Sequence, residues 1–209
     1  MRAVAVPVAK RIVPGALRLW IRDVRNARHV KRNPARILLV ERILPAYARQ
    51  GGRILWIGCR RYTKSYGALL TAHGGECWTT DIEAAHAKWG EPGRHFTCDL
   101  LKIDQLIAGE SFDTLLCNGV FGFGVDTTEM QLTALKAMAH VLKPGGRLLL
   151  GWNTERVEDP AGLDFAGRDF VRQAFEADDV LGLGGRAEVP EAGYVYAFLR
   201  RKGDSVQGA

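Results

Sequence analysis

No run of apolar residues in this sequence approaches the roughly 20 that a membrane-spanning helix requires. The stretch from Ala3 to Ala9 is too short and too poorly flanked for a secretory signal. Cysteine is sparse: Cys59, Cys77, Cys98 and Cys117 stand about 20 residues apart, a spacing that matches no zinc pattern. Buried free thiols in a reducing compartment, hence a cytoplasmic protein with no metal site, are the expectation. Acid is nearly missing from the front of the chain. Residues 1–53 hold 13 Lys and Arg against Asp23 and Glu41, a net of +11, whereas residues 54–209 hold 16 against 21, a net of −5, giving +6 in all. Such a split suggests that the front segment meets something anionic or covers an acidic face of its own domain. Glycine is missing from two of the three positions of a dinucleotide-binding G-x-G-x-x-G turn, because Cys59, Arg60, Arg61 and Tyr62 follow Gly58. Side chains of that size obstruct a pyrophosphate at the helix start, which counts against hydride transfer with NAD.

What is present is organised around Arg53 to Tyr66, RILWIGCRRYTKSY, and the acid at Asp81. Ile54-Leu55-Trp56-Ile57 is long enough for a buried strand and too short for a helix. Gly58 breaks the run. Tyr66, Leu69, Leu70 and His73 then recur at helical spacing, with Thr63 placed to cap the first turn. Gly74-Gly75 ends that helix, and Glu76 to Thr80 reads as a second strand closed by Asp81. A strand, tight turn, helix, strand and acid in this order suit a nucleoside. Turn amides face one polar end, and the carboxylate can accept from both ribose hydroxyls. The same order also describes an α/β crossover that binds nothing.

The apolar fraction of 47% over 209 residues suits one globular domain with a small extension. Residues 1–14 show no period. Ala16 to Lys31 reads as an amphipathic helix, with Leu17, Trp20, Ile21 and Val24 on one side and Arg18, Arg22, Arg25 and Arg28 or His29 on the other. Either it lays its stripe on the domain, or it contacts nucleic acid, an anionic membrane or an acidic substrate. Asn33-Pro34 starts another helix through Ile37, Leu38, Glu41 and Leu44, bent or ended near Pro45. Further strands are expected at His95 to Cys98, Phe112 to Cys117, Arg147 to Trp152, Gly185 to Val189 and Tyr194 to Arg200. Helices are expected at Glu83 to Trp89, Leu101 to Ala108, Asp126 to Leu142, and around Phe170, Val171 and Phe175. Alternating strands and helices closed by an antiparallel hairpin give an open α/β sheet. The expected division is a basic helical extension or lid at 1–49, a ligand-binding domain at 50–203 and a tail at 204–209.

Together ILWIGC, TTDIE, FTCDL, FDTLLCNGV and VLKPGGRLLL resemble the class I S-adenosylmethionine (SAM)-dependent methyltransferases, in order and interval across residues 53–200. The resemblance implies a Rossmann-like sheet of seven mostly parallel strands in the order 3-2-1-4-5-7-6, with helices on both faces. It implies SAM as cofactor and S-adenosyl-L-homocysteine as product. Gly58 and Cys59 would pass under the methionine part, Asp81 would bind the ribose and Ile82 would pack on adenine. Asp99 would accept from the adenine amino group beside the Leu100 amide, and the Asn118 backbone would lie by the cofactor's amino group. The family usually has an acid where Trp56 stands and glycines where Arg60 and Tyr62 stand. Arg60 or Arg61 suits a bidentate contact to the methionine carboxylate, or is a solvated loop charge.

The acceptor is constrained mainly by what is missing. The turn Cys117-Asn118-Gly119-Val120 lacks the Asn-Pro-Pro-aromatic sequence of relatives that methylate base amines. No Pro-Cys pair suggests a cysteine nucleophile, and no acid cluster near Asp126 suggests a catechol-type metal site. A small-molecule acceptor, methylated on O or N, is the expectation, with no catalytic residue assigned. Glu155 and His29 are weak candidates for a base. A nucleic-acid methyltransferase and a SAM-binding protein without methyl transfer are the alternatives. The front segment, residues 16–49, is expected to lie over the cofactor cleft as a lid, through Leu17, Trp20, Ile21 and Val24.

Overall fold

The computed structural model describes residues 32–163 and 170–203. The expected helix at 16–31, including His29, and residues 164–169 lie outside this range.

The chain enters at Asn33, whose side chain accepts from the amides of Ala35 (2.9 Å) and Arg36 (3.3 Å) and so caps α1, Pro34–Leu38. Pro34 sits at the first helical position, where no amide is needed. A π turn, Leu39–Ile43, joins α1 to α2, Leu44–Gln50. The extra residue of that turn rotates the buried face. Ala35, Leu39, Ile43, Leu44 and Tyr47 point inward, while Ile37, expected on the apolar stripe, is 41% exposed.

The strands are β1 (Arg53–Ile57), β2 (Glu76–Asp81), β3 (His95–Thr97), β4 (Phe112–Asn118), β5 (Leu142–Asn153), β6 (Phe175–Ala177), β7 (Arg186–Val189) and β8 (Tyr194–Arg201). They form one sheet in the order β3-β2-β1-β4-β5-β8-β6, with β7 also paired to β8. The β1–β5 pairings are parallel and those of β8 antiparallel. The expected order is therefore present with its sixth strand in two pieces. Ala177 pairs with Leu199 and Arg186 with Ala197, and the chain between them bulges away. Phe175, expected in a helix, opens β6 instead, and the helix α6 is Phe170–Ala174.

Alternate residues of the central strands supply two cores. Leu55, Ile57, Leu115, Leu148 and Leu150 face Leu135, Met138 and Val141 of α5, Thr128–Val141. Ile54, Trp56, Leu116, Leu149, Tyr196 and Phe198 face Leu39, Ile43 and Tyr47. Covering both faces is why these strands read as continuous apolar runs. Pro34–Gln50 is thus part of a core layer, tied further by the Tyr196 hydroxyl, which donates to the Ala35 carbonyl at 2.8 Å.

Between β1 and β2 the expected helix from Thr63 is broken. A 3₁₀ turn, Arg61–Thr63, precedes α3, Tyr66–Leu70. Thr63 does not cap α3. Its hydroxyl accepts from the Arg60 amide (3.0 Å) and donates to the Arg60 carbonyl (2.9 Å), which fixes the turn where glycines were missing. Short α4, Ile103–Leu106, lies between β3 and β4.

Candidate cofactor cleft

In an open parallel sheet the chain leaves neighbouring strands in opposite directions where the order reverses, and a cleft opens at their C-terminal ends. Here the reversal lies between β1 and β4. Gly58 follows β1 and Asn118 ends β4, and both line a cleft of about 750 Å³, measured out to its open mouth. Arg36, Tyr62, Asp81, Ile82, Asp99, Leu100 and Phe123 are also among its lining residues. Of the described residues expected at the site, Cys59, the alternative Arg61 and the base candidate Glu155 do not line the cleft; the Cys59 side chain is fully buried.

Gly58 has φ 90°, a left-handed conformation that favours glycine. Its amide donates to Thr80 O (2.8 Å), and its carbonyl accepts from Trp56 Nε1 (2.6 Å). The indole therefore braces the turn from below, where the resembled family usually has an acid, and meets Tyr66 edge-on at 5.1 Å. The turn places the Cys59 amide 2.7 Å from Asp81 Oδ2.

Asp81 is only 5% exposed, and all of its acceptor positions are used. Oδ2 accepts from Cys59 N and from Arg60 Nη1, both at 2.7 Å. Oδ1 accepts from Glu83 N (2.9 Å) and lies 3.0 Å from His86 Nδ1. Burial pushes the Asp81 carboxyl up. The Glu83 and Cys59 amides, His86 and the Arg60 charge together outweigh it, so the group sits below the usual aspartate value.

Across the cleft, Asp99 caps the turn Leu100–Lys102 by accepting from Leu101 N with Oδ1 (3.0 Å). Leu100 is buried, whereas Ile82 is 63% exposed and free to cover a planar ligand. The Asn118 side chain accepts from the Tyr194 hydroxyl (3.0 Å). Gly151 beneath it must lack a side chain, because a Cβ there would sit 2.4 Å from Asn118 Oδ1.

The two loop arginines, each expected either to meet the methionine carboxylate or to be a solvated loop charge, take different places. Arg60 bonds Asp81, and Arg61 is exposed and off the cleft. A second cation on the cleft wall is Arg36, which sequence reasoning passed over. It lies half-buried with its guanidinium 4.8 Å above the Tyr62 ring and Nη1 3.4 Å from Tyr66 Oη. Among the described residues it has no carboxylate partner. The signal was present: Arg36 falls in the first turn of a helix, where a cation opposes the macrodipole, with no acid three or four residues away. Glu155 is exposed and off the cleft, and its amide donates to Asn153 Oδ1 (2.8 Å). Among the described residues no group of three His, Cys, Asp or Glu is arranged to hold a metal, and no helix is long and apolar enough to cross a membrane.

Residues 55–150 match the family model described as a methyltransferase domain. None of the curated proteins matches the chain in sequence. Among solved structures, the N-methyltransferase NodS from Bradyrhizobium japonicum WM9 in complex with S-adenosyl-L-homocysteine superposes with a TM-score of 0.60 at 18% identity. That match covers 90% of this chain and 99% of the other. A SAM-dependent methyltransferase from Archaeoglobus fulgidus gives 0.55 at 14% identity, covering 90% and 100%. The PH0226 protein from Pyrococcus horikoshii OT3 gives 0.57 at 15%, covering 80% and 90%. Over residues 55–150 the chain thus matches a methyltransferase domain, and its fold is the one shared with the NodS and Archaeoglobus fulgidus structures.

Proposed function

We propose that the cleft binds SAM and transfers its methyl group to a small molecule. The observation that carries this reading is the convergence of four strand ends, Gly58, Asp81, Asp99 and Asn118, on one cleft. Asp81 receives the ribose hydroxyls. Asp99, the Leu100 amide and Ile82 receive adenine, and the turn at Gly58 and Cys59, Tyr62 and the Asn118 backbone flank the methionine part. Arg36, rather than Arg60 or Arg61, meets the methionine carboxylate, since a half-buried guanidinium without an acid partner suits a bidentate carboxylate.

Methyl transfer moves CH₃⁺ from the sulfonium to an acceptor lone pair; the C–S electron pair stays on sulfur, giving S-adenosyl-L-homocysteine. The acidic lining residues, Asp81 and Asp99, are committed to the cofactor in this reading. Catalysis then rests on alignment of acceptor and methyl, which can supply most of the rate for an acceptor already carrying a free lone pair. The N-methyltransferase neighbour supports a small acceptor. The competing reading, a nucleic-acid acceptor, draws on the +11 charge of residues 1–53. The test is to supply SAM with panels of small amines and alcohols and with RNA and DNA, and to measure S-adenosyl-L-homocysteine formed. Turnover on nucleic acid alone overturns the small-molecule assignment.

A further inference from the structure

An ionised carboxylate offers about four acceptor positions, and the hydrogen bonds at Asp81 fill four. Two partners are backbone amides, Cys59 N on Oδ2 and Glu83 N on Oδ1, fixed by the turn and by the end of β2. The other two are side chains, one on each oxygen: Arg60 Nη1 on Oδ2 and His86 Nδ1 on Oδ1. A ribose diol also presents two donors to two carboxylate oxygens. It can bind only if the two side chains leave.

The side-chain half of this arrangement is crowded. Arg60 Nη1 carries two hydrogens, yet three atoms lie 2.7 Å from it: Cys59 O, Asp81 Oδ2 and His86 Nδ1. If His86 Nδ1 bears a proton for Asp81, it faces Arg60 donor to donor. If it is bare, it faces Asp81 acceptor to acceptor. Either tautomer leaves one side of the triangle unfavourable, so the side chains are the weaker half of the set. Arg60 is free to go, since its side chain is 44% exposed and its backbone is held independently by Thr63.

We propose that Arg60 and His86 are place-holders at the ribose site: they occupy the Asp81 oxygens in the absence of cofactor and are exchanged, one for one, for the two ribose hydroxyls when cofactor enters. The proposal rests on the cofactor cleft assigned above. Arg60 is then a side chain that opposes binding, although it stands in the loop that cradles the cofactor. Asp81 is buried, but Arg60 is 44% exposed and screened by solvent, so the opposition is modest, roughly a two- to fivefold effect on affinity.

The sign of the effect is the test. Affinities for S-adenosyl-L-homocysteine, adenosine and 2′,3′-dideoxyadenosine are measured calorimetrically for the native protein, Arg60→Ala, Arg60→Lys and His86→Ala, with thermal unfolding of each unliganded protein. The expected result is tighter binding of both diol ligands to Arg60→Ala and His86→Ala, a smaller gain for Arg60→Lys, and no gain for the dideoxynucleoside. The unliganded Arg60→Ala protein unfolds at a lower temperature. Weaker or unchanged diol binding in folded Arg60→Ala and Arg60→Lys proteins overturns the exchange. An equal gain for all three ligands reduces Arg60 to a steric obstacle and also overturns it. Failure of the native protein to bind S-adenosyl-L-homocysteine at all would instead sink the cofactor reading.

Discussion

Arg36→Gln separates a ligand-binding role from a structural one, because the structure gives the two roles opposite consequences. The guanidinium is half-buried and lacks a carboxylate partner among the described residues. Among those residues its only hydrogen bond to a side chain is the long one to Tyr66 at 3.4 Å, and it stands three residues after the Asn33 cap that opens α1. Each feature makes the cation a poor contributor to stability. Its removal should therefore shift the unfolding temperature of the empty protein by no more than about 3 °C, the shift that 1 kcal/mol produces in a domain of this size. With cofactor bound, the same guanidinium would gain a charged acceptor. Hydrogen bonds of that kind contribute about 1.5–3 kcal/mol, so the dissociation constant for S-adenosyl-L-homocysteine should rise roughly 10- to 150-fold. 5′-Methylthioadenosine keeps the nucleoside and loses the amino acid. Its affinity should change less than about twofold, since Arg36 then has nothing to bind. Isothermal titration of both ligands against both proteins is the assay. Equal losses for the two ligands, or no loss for either, refutes the assignment of Arg36 to the methionine carboxylate.

Asp81→Ala should weaken S-adenosyl-L-homocysteine by about 1.5–3 kcal/mol through the lost ribose contacts; unchanged affinity in a folded variant moves the ribose elsewhere. Cys98 lines the cleft and is half-buried, whereas Cys59, Cys77 and Cys117 are buried. Burial and nearby Asp81 push the Cys59 thiol up to about 11, and burial takes Cys77 and Cys117 to about 12. Alkylation of the native protein at pH 8 should therefore mark Cys98 first, and S-adenosyl-L-homocysteine should slow it; equal labelling with and without ligand places Cys98 outside the occupied cleft. A protein beginning near Asn33 should fold and bind S-adenosyl-L-homocysteine, because Pro34–Gln50 carries its core contacts, yet lose acceptor turnover if residues 1–32 close the site. Normal turnover refutes the lid. Steeply salt-dependent RNA or vesicle binding by the full chain alone makes the segment a docking element.

The fold was legible in the sequence because its signals are local and repeated. Apolar runs such as Ile54–Ile57 and Leu115–Cys117 are short, continuous and closed by Gly58 or Asn118, which is how strands covered on both faces must read. The cleft was legible for a related reason: its polar groups stand at the strand ends, so finding the strands found Asp81, Asp99 and Asn118. The misses are of another kind. The π turn at Leu39–Ile43 shifts the inward face by one residue and exposes Ile37, and no periodicity announces such a shift. Arg36 reaches the cleft on a helix whose Ala35 carbonyl is tied down by Tyr196, 160 positions after Arg36. His86 reaches Asp81 through a 3₁₀ segment, Ala84–Trp89, that is too irregular to project a side chain from sequence spacing.

The missing glycines carry a further lesson about what a motif requires. A glycine can be needed for its backbone conformation or for the space its absent side chain leaves, and the two demands separate here. Gly58 is needed for conformation, with φ 90°. Arg60 has φ −141° and ψ 161°, extended backbone that any residue adopts, so glycine there would serve only to leave space. The Arg60 side chain meets that demand by running along the turn to the Cys59 carbonyl and Asp81, its guanidinium anchored on the strand-end acid. Tyr62 likewise places its ring beneath Arg36, where it stacks on the cation that meets the cofactor in the proposed site. The loop that looks defective by its residue types is therefore intact in its backbone, and its large side chains are used within the cleft. Arg60→Gly accordingly should not restore a lost function. It should leave the turn in place, since Thr63 holds the Arg60 backbone rather than its side chain. The variant should lower only the stability of the empty protein while admitting cofactor more readily; a collapse of S-adenosyl-L-homocysteine binding in the folded variant would show that Arg60 supports the site instead.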